Sequence, residues 1–297
     1  MKNNIEKNKF HWMYGIEEYL KFVDHPQYHT YLKIVDAIAH GDRWAIRDLI
    51  LDQVKHGQTH TAEQYVNTIM ISMLHQDLPN LTHSHILQYV QLYINDDFID
   101  TVYNWSTRLS KQTNINDHFS RGQVNSKLWM VEKLGEIIHN RNIGTVVMYG
   151  GWYATVADLL FKYFKISTFY NLDLDKDAVA VAKDFNYKNN TKFESVLCDV
   201  NNLEFYNNTC TLPNSKQVTP TAVINTSCEH MKDDWFYNLP DGQFVVLQTN
   251  NYFENEQHTN CVSNIEQALD KYKFSDVLYS GCLDTHLYER YMIIGFK

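Results

Sequence analysis

Residues able to do chemistry cluster at the ends of apolar runs in the second half of the chain. Gly150 and Gly151 follow directly on the run 145–149 (TVVMY) and precede a helical stretch. Glycines at a strand-to-helix turn let the backbone approach a ligand closely, although an ordinary tight turn needs them too. The run 167–172 ends at Asp173, about 20 residues beyond the glycine pair, where an acid is placed to accept hydrogen bonds from a ribose diol. Asp173 could instead cap the helix that follows. The run 193–197 ends in Cys198 and Asp199, and an acid there serves either a ligand or solubility. The run 221–225 ends at Asn225, followed by Thr226, Ser227, Cys228, Glu229 and His230. Glu229 or His230 could accept a proton from a nucleophile attacking an electrophilic carbon. Alternatively, Thr226 or Ser227 caps a helix, Glu229 fills its first turn and Cys228 is packing. Cys228 and His230 are close in sequence, but a nucleophilic pair has to be close in space. Upstream, Arg121 and Lys127, with Gln123 between them, supply cations that could pair a ligand carboxylate or simply open a solvated helix. The pairs His56/His60 and His83/His85 come with no acid or Cys pattern and indicate no metal site.

The elements that must position these groups form two zones. Residues 1–118 show helical periodicity and almost no strand signal. One apolar set is Tyr19, Leu20, Phe22 and Val23; a second is Tyr31, Leu32, Ile34, Val35 and Ile38; a third is Trp44, Ile46, Leu49, Ile50 and Val54. His25-Pro26, Gly41 and Gly57 close them, and further helical stretches are predicted at 61–76, 82–95 and 97–110. Residues 119–297 open with an amphipathic helix carrying Leu128, Trp129, Val131, Leu134 and Ile138. Short apolar runs then alternate with helical stretches, the βαβ pattern of a mostly parallel sheet with helices on both faces. Strands are predicted at 145–149, 167–172, 193–197, 221–225, 243–248, 275–280 and 288–295. Helices are predicted at 153–164, 176–188, 231–237 and 261–272. A polar loop is expected at 204–220, and the last two strands should pair as a hairpin. The expected architecture is an all-α N-terminal domain followed by a Rossmann-like α/β domain.

The segments VVMYGG, YNLDLDKDAVAVAKDFN, FESVLCDV, AVINTSCEHM and GQFVVLQTNNYF, with the closing SDVLYSG and LYERYMIIGFK, resemble the class I S-adenosylmethionine-dependent methyltransferases. The resemblance covers roughly residues 120–297 and looks closest to methyltransferase-like proteins of large tailed phages. It implies S-adenosylmethionine as cofactor. Gly150 and Gly151 would line its methionine and ribose, Asp173 would hold the ribose hydroxyls, and Asp199 would face the adenine amine. Arg121 or Lys127 would meet the methionine carboxylate, in a segment that closes over it in the family. Asn225 would stand where the family places its active-site motif. The sequence departs from the family in three places. Met148 replaces the usual acid of the first strand, and the second and third glycines of the G-x-G-x-G turn align with Trp152 and Ala154. The aromatic-flanked proline motif of amino-methylating DNA enzymes is absent. Aminocarboxypropyl transfer, cyclisation, or non-catalytic binding on the same fold are the alternatives to methyl transfer.

Composition limits the partners. The 297 residues carry a formal net charge of −9 with no basic run, so duplex nucleic acid is a poorer expectation than a small-molecule or protein acceptor. The polar start MKNNIEKNKF is not a signal peptide, and no apolar stretch is long enough to span a membrane. Five cysteines without a C-x-x-C pair argue against a disulfide framework or thiolate zinc. Together these point to a reducing cytoplasm, that of a host cell if the chain is phage-encoded, and make the Asn-X-Ser/Thr sequons chance matches.

Overall fold

The computed structural model describes residues 11–40, 45, 48, 87, 90, 91, 94, 96–108, 118–186, 188 and 191–297. The chain divides into two compact units, Met1–Asn125 and Ser126–Lys297. In the first, helices α1 (His11–Phe22) and α2 (Tyr28–His40) carry the first two apolar sets up to Val23 just past α1, and α3 (Asp97–Arg108) falls on the stretch expected at 97–110. Tyr19, Leu20, Tyr31 and Ile34 are fully buried, and the Tyr31 hydroxyl donates to the Met13 carbonyl at 2.7 Å. The third apolar set, the stretch at 61–76, most of 82–95 and both histidine pairs lie outside the described residues. Helix α4 (Arg121–Ile137) runs across the division between the units.

The second unit is a seven-stranded sheet. Its strands are β1 (Asn142–Tyr149), β2 (Lys165–Asp173), β3 (Phe193–Leu197), β7 (Ala222–Asn225), β8 (Phe244–Asn250), β9 (Asp276–Asp284) and β10 (Glu289–Phe296), in the order β3-β2-β1-β7-β8-β10-β9. The first five are parallel, and β10 runs antiparallel between β8 and β9. Helices α5 (Val156–Tyr163) and α6 (Lys176–Phe185) make the crossovers from β1 to β2 and from β2 to β3. Short helix α7 (Asp234–Tyr237) joins β7 to β8, and α8 (Ile265–Lys271) joins β8 to β9.

Side chains alternate across a strand, so continuous burial along β7 and β8 means that both faces of the sheet are covered. One face packs Val147, Tyr149, Val223, Val245, Leu247, Tyr291 and Ile293 against Trp235, Phe236, Ala268 and Tyr272. On the other, the Gln248 amide donates to the Ser126 carbonyl of α4 at 2.9 Å, and Trp129 Nε1 donates to the Tyr279 hydroxyl at 3.1 Å. This is a Rossmann-like α/β domain, as its run-and-helix alternation predicts.

Two local expectations need correction. Residues 204–220 are not a featureless loop but carry a small antiparallel sheet of β4 (Phe205–Tyr206), β5 (Thr209–Thr211) and β6 (Gln217–Val218). Its apolar side chains Cys210 and Val218 are buried in the core cluster, with Leu212 just after β5. The helix expected from residue 153 starts instead at Val156, because Ala154 has φ +51°, outside the right-handed helical region.

Candidate functional site

β1 is the point at which the sheet reverses its winding: the chain moves out through β2 and β3, then returns to β1's other side with β7. Open α/β sheets bind ligands outside the carboxyl ends of the strands at such a point. The strand ends are level there, with Tyr149 opposite Leu172 on one side and Asn225 on the other, and Asp173 opposite Leu197. Gly150, Gly151, Asp173, Asp199 and Asn225 therefore share one edge of the sheet.

The turn after β1 has an alternating backbone. Gly150, Trp152 and Ala154 all have positive φ, at +56°, +50° and +51°. Glycine adopts that conformation freely, while an L side chain is strained in it by about 1–2 kcal/mol. The turn thus keeps the shape of three alternating glycines although two are replaced. Neighbouring side chains hold it in place. The Trp152 N–H donates to Asp173 Oδ2 at 2.7 Å, and the Asn171 amide donates to the Trp152 carbonyl at 3.1 Å. The Asn186 amide donates to the Ala154 carbonyl at 3.4 Å, and the Trp152 ring stacks on Tyr153 at 4.2 Å. A Cβ on Gly151 would lie 2.1 Å from Asn171 Oδ1, so this position tolerates no side chain without a shift. Ala154→Gly, which relieves a positive φ, should therefore cost at least ~1 kcal/mol less stability than Ala157→Gly inside α5. Urea unfolding of the two variants checks this.

Asp173 is half-buried, and Oδ1 accepts from the Asp175 N–H at 2.9 Å. Burial raises its pKa, opposed by the backbone hydrogen bonds from Asp175 and Trp152. Each carboxylate oxygen has a second lone pair beyond these contacts. The cap of α6 is Asp175, which accepts from the N–H groups of Asp177 and Ala178, so Asp173 is not the helix cap. Asp199 accepts from the Asn201 N–H at 3.0 Å and from the Asn202 amide at 2.8 Å, opening a short 3-10 turn. Arg121 is paired with Glu18 at 2.8 Å and Glu17 at 3.5 Å, and Lys127 is a partly exposed residue of α4.

Past β7 the chain makes a 3-10 turn, Cys228–His230, before α7. Asn225 is fully buried; its Oδ1 accepts from the Ser227 N–H, and its amide donates to Met231 Sδ at 3.2 Å. The Met231 methyl lies where a Cβ on Gly150 would come within 2.5 Å, so this side chain covers the glycine turn. Glu229 is 1% exposed. Its Oε1 accepts from the Asn250 amide at 2.6 Å and from Arg290 at 3.2 Å, while Oε2 has no hydrogen-bond partner. Arg290, 4% exposed, also donates to the Thr226 carbonyl at 3.0 Å. Cys228 is buried, and burial followed by the Glu229 charge pushes its thiol up, the setting of a packed cysteine.

His230 is exposed, and its ring meets that of His258 edge-on, with centroids 4.5 Å apart. Burial lowers the His258 pKa. Ligand atoms of Glu229, His230 and His258 all lie within 4.8 Å of one another. Reading the sequence alone missed His258, Asn250 and Arg290, which reach Glu229 from distant strands and loops, and missed Asn171 and Asn186, which hold the turn. The run of Asn and Tyr after β8 marks a strand end but names none of them.

Among the described residues no helix is long and apolar enough to cross a membrane. No family model and no curated protein matches the sequence. Solved structures similar to the chain include a magnesium protoporphyrin IX methyltransferase from Synechocystis PCC 6803 with bound SAH. It shares 13% identity at a TM-score of 0.46, over 71% of this chain and 99% of that one. Geranyl diphosphate C-methyltransferase from Streptomyces coelicolor A3(2) shares 12% identity at a TM-score of 0.42, over 63% and 82%. The [4+2]-cyclase SpnF shares 11% identity at a TM-score of 0.42, over 56% and 81%.

Proposed function

We propose that the second unit binds S-adenosylmethionine at the carboxyl ends of β1, β2 and β3 and transfers its methyl group to a small-molecule or protein acceptor. The observation that carries this reading is the turn at 150–154, with left-handed backbone at three alternate residues and the Asp173 carboxylate against it. The residues fit such a ligand. Gly150 presents backbone without a side chain, and the atom that covers it is the tip of a flexible methionine. Asp173 retains acceptor capacity for a diol. Asp199 stands at the end of β3 for the adenine amine, and Lys127 is the cation we assign to the ligand carboxylate.

When bound, the cofactor supplies an electrophilic methyl on a sulfonium. The protein's part is orientation and exclusion of water. Gly150 and Gly151 admit the ligand, and Asp173 fixes the ribose. Residues 225–230 close the far side, where the acceptor is presented. Of the three residues assigned to that end, Asn225 and Glu229 are buried and structural in their contacts, while His230 is exposed to an incoming acceptor.

Product analysis tests the reaction. Incubation with S-adenosylmethionine and an extract of candidate acceptors should yield S-adenosylhomocysteine. Methylthioadenosine above background would mean aminocarboxypropyl transfer or cyclisation instead, and binding without any product would mean a non-catalytic protein.

A further inference from the structure

We infer that Glu229, His230 and His258 form a divalent-cation site of the two-histidine, one-carboxylate type, at the carboxyl ends of β7 and β8. Three observations converge on it. The ligand atoms of the three side chains lie within 4.8 Å of one another. Both histidines have one ring nitrogen against a backbone carbonyl: His230 Nδ1 is 3.2 Å from the Gln257 carbonyl, and His258 Nδ1 is 3.1 Å from that of Tyr252. A carbonyl only accepts, so each Nδ1 carries the proton and each Nε2 the lone pair. That is the arrangement by which metal-binding histidines are oriented, with the outer N–H held by a carbonyl. Finally, Glu229 uses Oε1 for Asn250 and Arg290, leaving Oε2 buried and without a partner. A buried carboxylate oxygen in that condition lacks the compensation that such groups normally find.

The site is adaptable on one side. His258 Nε2 lies 3.2 Å from the Asn255 amide, which must swing away for a cation to enter. Asn255 sits in the same polar stretch as His258, between β8 and α8. His230 is exposed, with its ring held by the Gln257 carbonyl and the edge of His258. Glu229 is the fixed member, held by a buried arginine. Two imidazoles and one carboxylate suit a first-row ion such as Zn2+ or Co2+ better than Mg2+ or Ca2+, which prefer oxygen. Three protein ligands leave a position open, as in catalytic rather than structural metal sites. Within the methyl-transfer reading, an acceptor oxygen would take that position and lose its proton more easily. His230 is then a ligand and not the base.

Metal titration decides the matter. Chelator-treated protein should bind one equivalent of Co2+, giving a visible d–d absorption, and Zn2+ should displace it. His230→Ala and His258→Ala should each weaken binding at least ~10-fold, and the exposed His139→Ala should leave it unchanged. Both site variants remove partly or fully exposed side chains, so their folding is checked by circular dichroism alone. Wild-type protein that takes up no Co2+ or Zn2+ at about 100 μM, a free energy near −5.5 kcal/mol, overturns the site. So does wild-type affinity in either variant. None of the three residues belongs to the adenosyl end, so S-adenosylmethionine binding in the variants should match wild type. Failure of the metal site is thereby separated from failure of the cofactor reading.

Discussion

Glu229→Gln should lower the folding stability of the second unit by about 3–5 kcal/mol, and Arg290→Met by a similar amount. The two groups are 1% and 4% exposed and meet at 3.2 Å. Removing one charge leaves the other in a site that water does not reach, and this uncompensated charge is the source of the cost. The loss spreads beyond the pair. Arg290 on β10 holds the Thr226 carbonyl, and the Asn260 N–H donates to the Glu229 carbonyl at 3.0 Å. The Asn260 amide in turn donates to the Met231 carbonyl at 2.7 Å and to Asp233 at 2.8 Å. A loosened pair thus loosens the whole segment past β7. Removing both charges together, as Glu229→Leu with Arg290→Met, should recover most of the stability, because well-packed apolar groups replace a buried ion pair at little net cost. Urea midpoints measure all three proteins. Single variants within ~1 kcal/mol of wild type would contradict the burial of this pair.

Asp173→Ala should weaken S-adenosylmethionine binding by about 30-fold, or ~2 kcal/mol, the worth of hydrogen bonds to a charged group. Asp173→Asn is the companion variant. The carboxyl's pKa is raised above its unfolded value of 3.8 by burial. The folded state therefore binds protons more tightly than the unfolded chain. This stabilises the fold fully below about pH 4 and is lost as pH rises through the folded pKa. At pH 7 the ionised carboxylate is a desolvated group that the fold carries at some cost. Asp173→Asn sheds that charge but gives up one of the two backbone N–H hydrogen bonds, so its stability at pH 7 should fall by no more than about 1–2 kcal/mol while binding falls as well. Equal loss of stability and binding in both variants would assign Asp173 to the turn alone.

The centre of the sheet was legible because β7, β8 and the end of β1 are buried on both faces. Runs such as VVMY and AVIN read as strands without any alternation, and β3 falls at Phe193–Leu197 as expected. The small sheet at 205–218 was not legible. Its strands are two or three residues long, and their few inward side chains are separated by Asn, Thr, Ser and Lys that read as loop. The glycine turn was half legible. Gly150 and Gly151 announce themselves, but nothing in Trp152 or Ala154 suggests a positive φ, since both residues disfavour it. Their conformation is imposed from outside, by Asp173, Asn171 and Asn186. The far end of the site was least legible. Asn225, Glu229 and His230 are adjacent in sequence, whereas their partners Asn250, His258 and Arg290 come from β8, the stretch after it, and β10. Such pairs have no local period for a sequence pattern to reveal.

Isothermal titration of the purified chain with S-adenosylmethionine and with S-adenosylhomocysteine tests for the adenosyl site itself. The turn at 150–154 and the Asp173 carboxylate predict one site per chain, with S-adenosylhomocysteine competing for it and Asp173→Ala about 30-fold weaker. No heat of binding for either compound at millimolar concentration, in protein shown to be folded, would contradict the adenosyl reading of this fold.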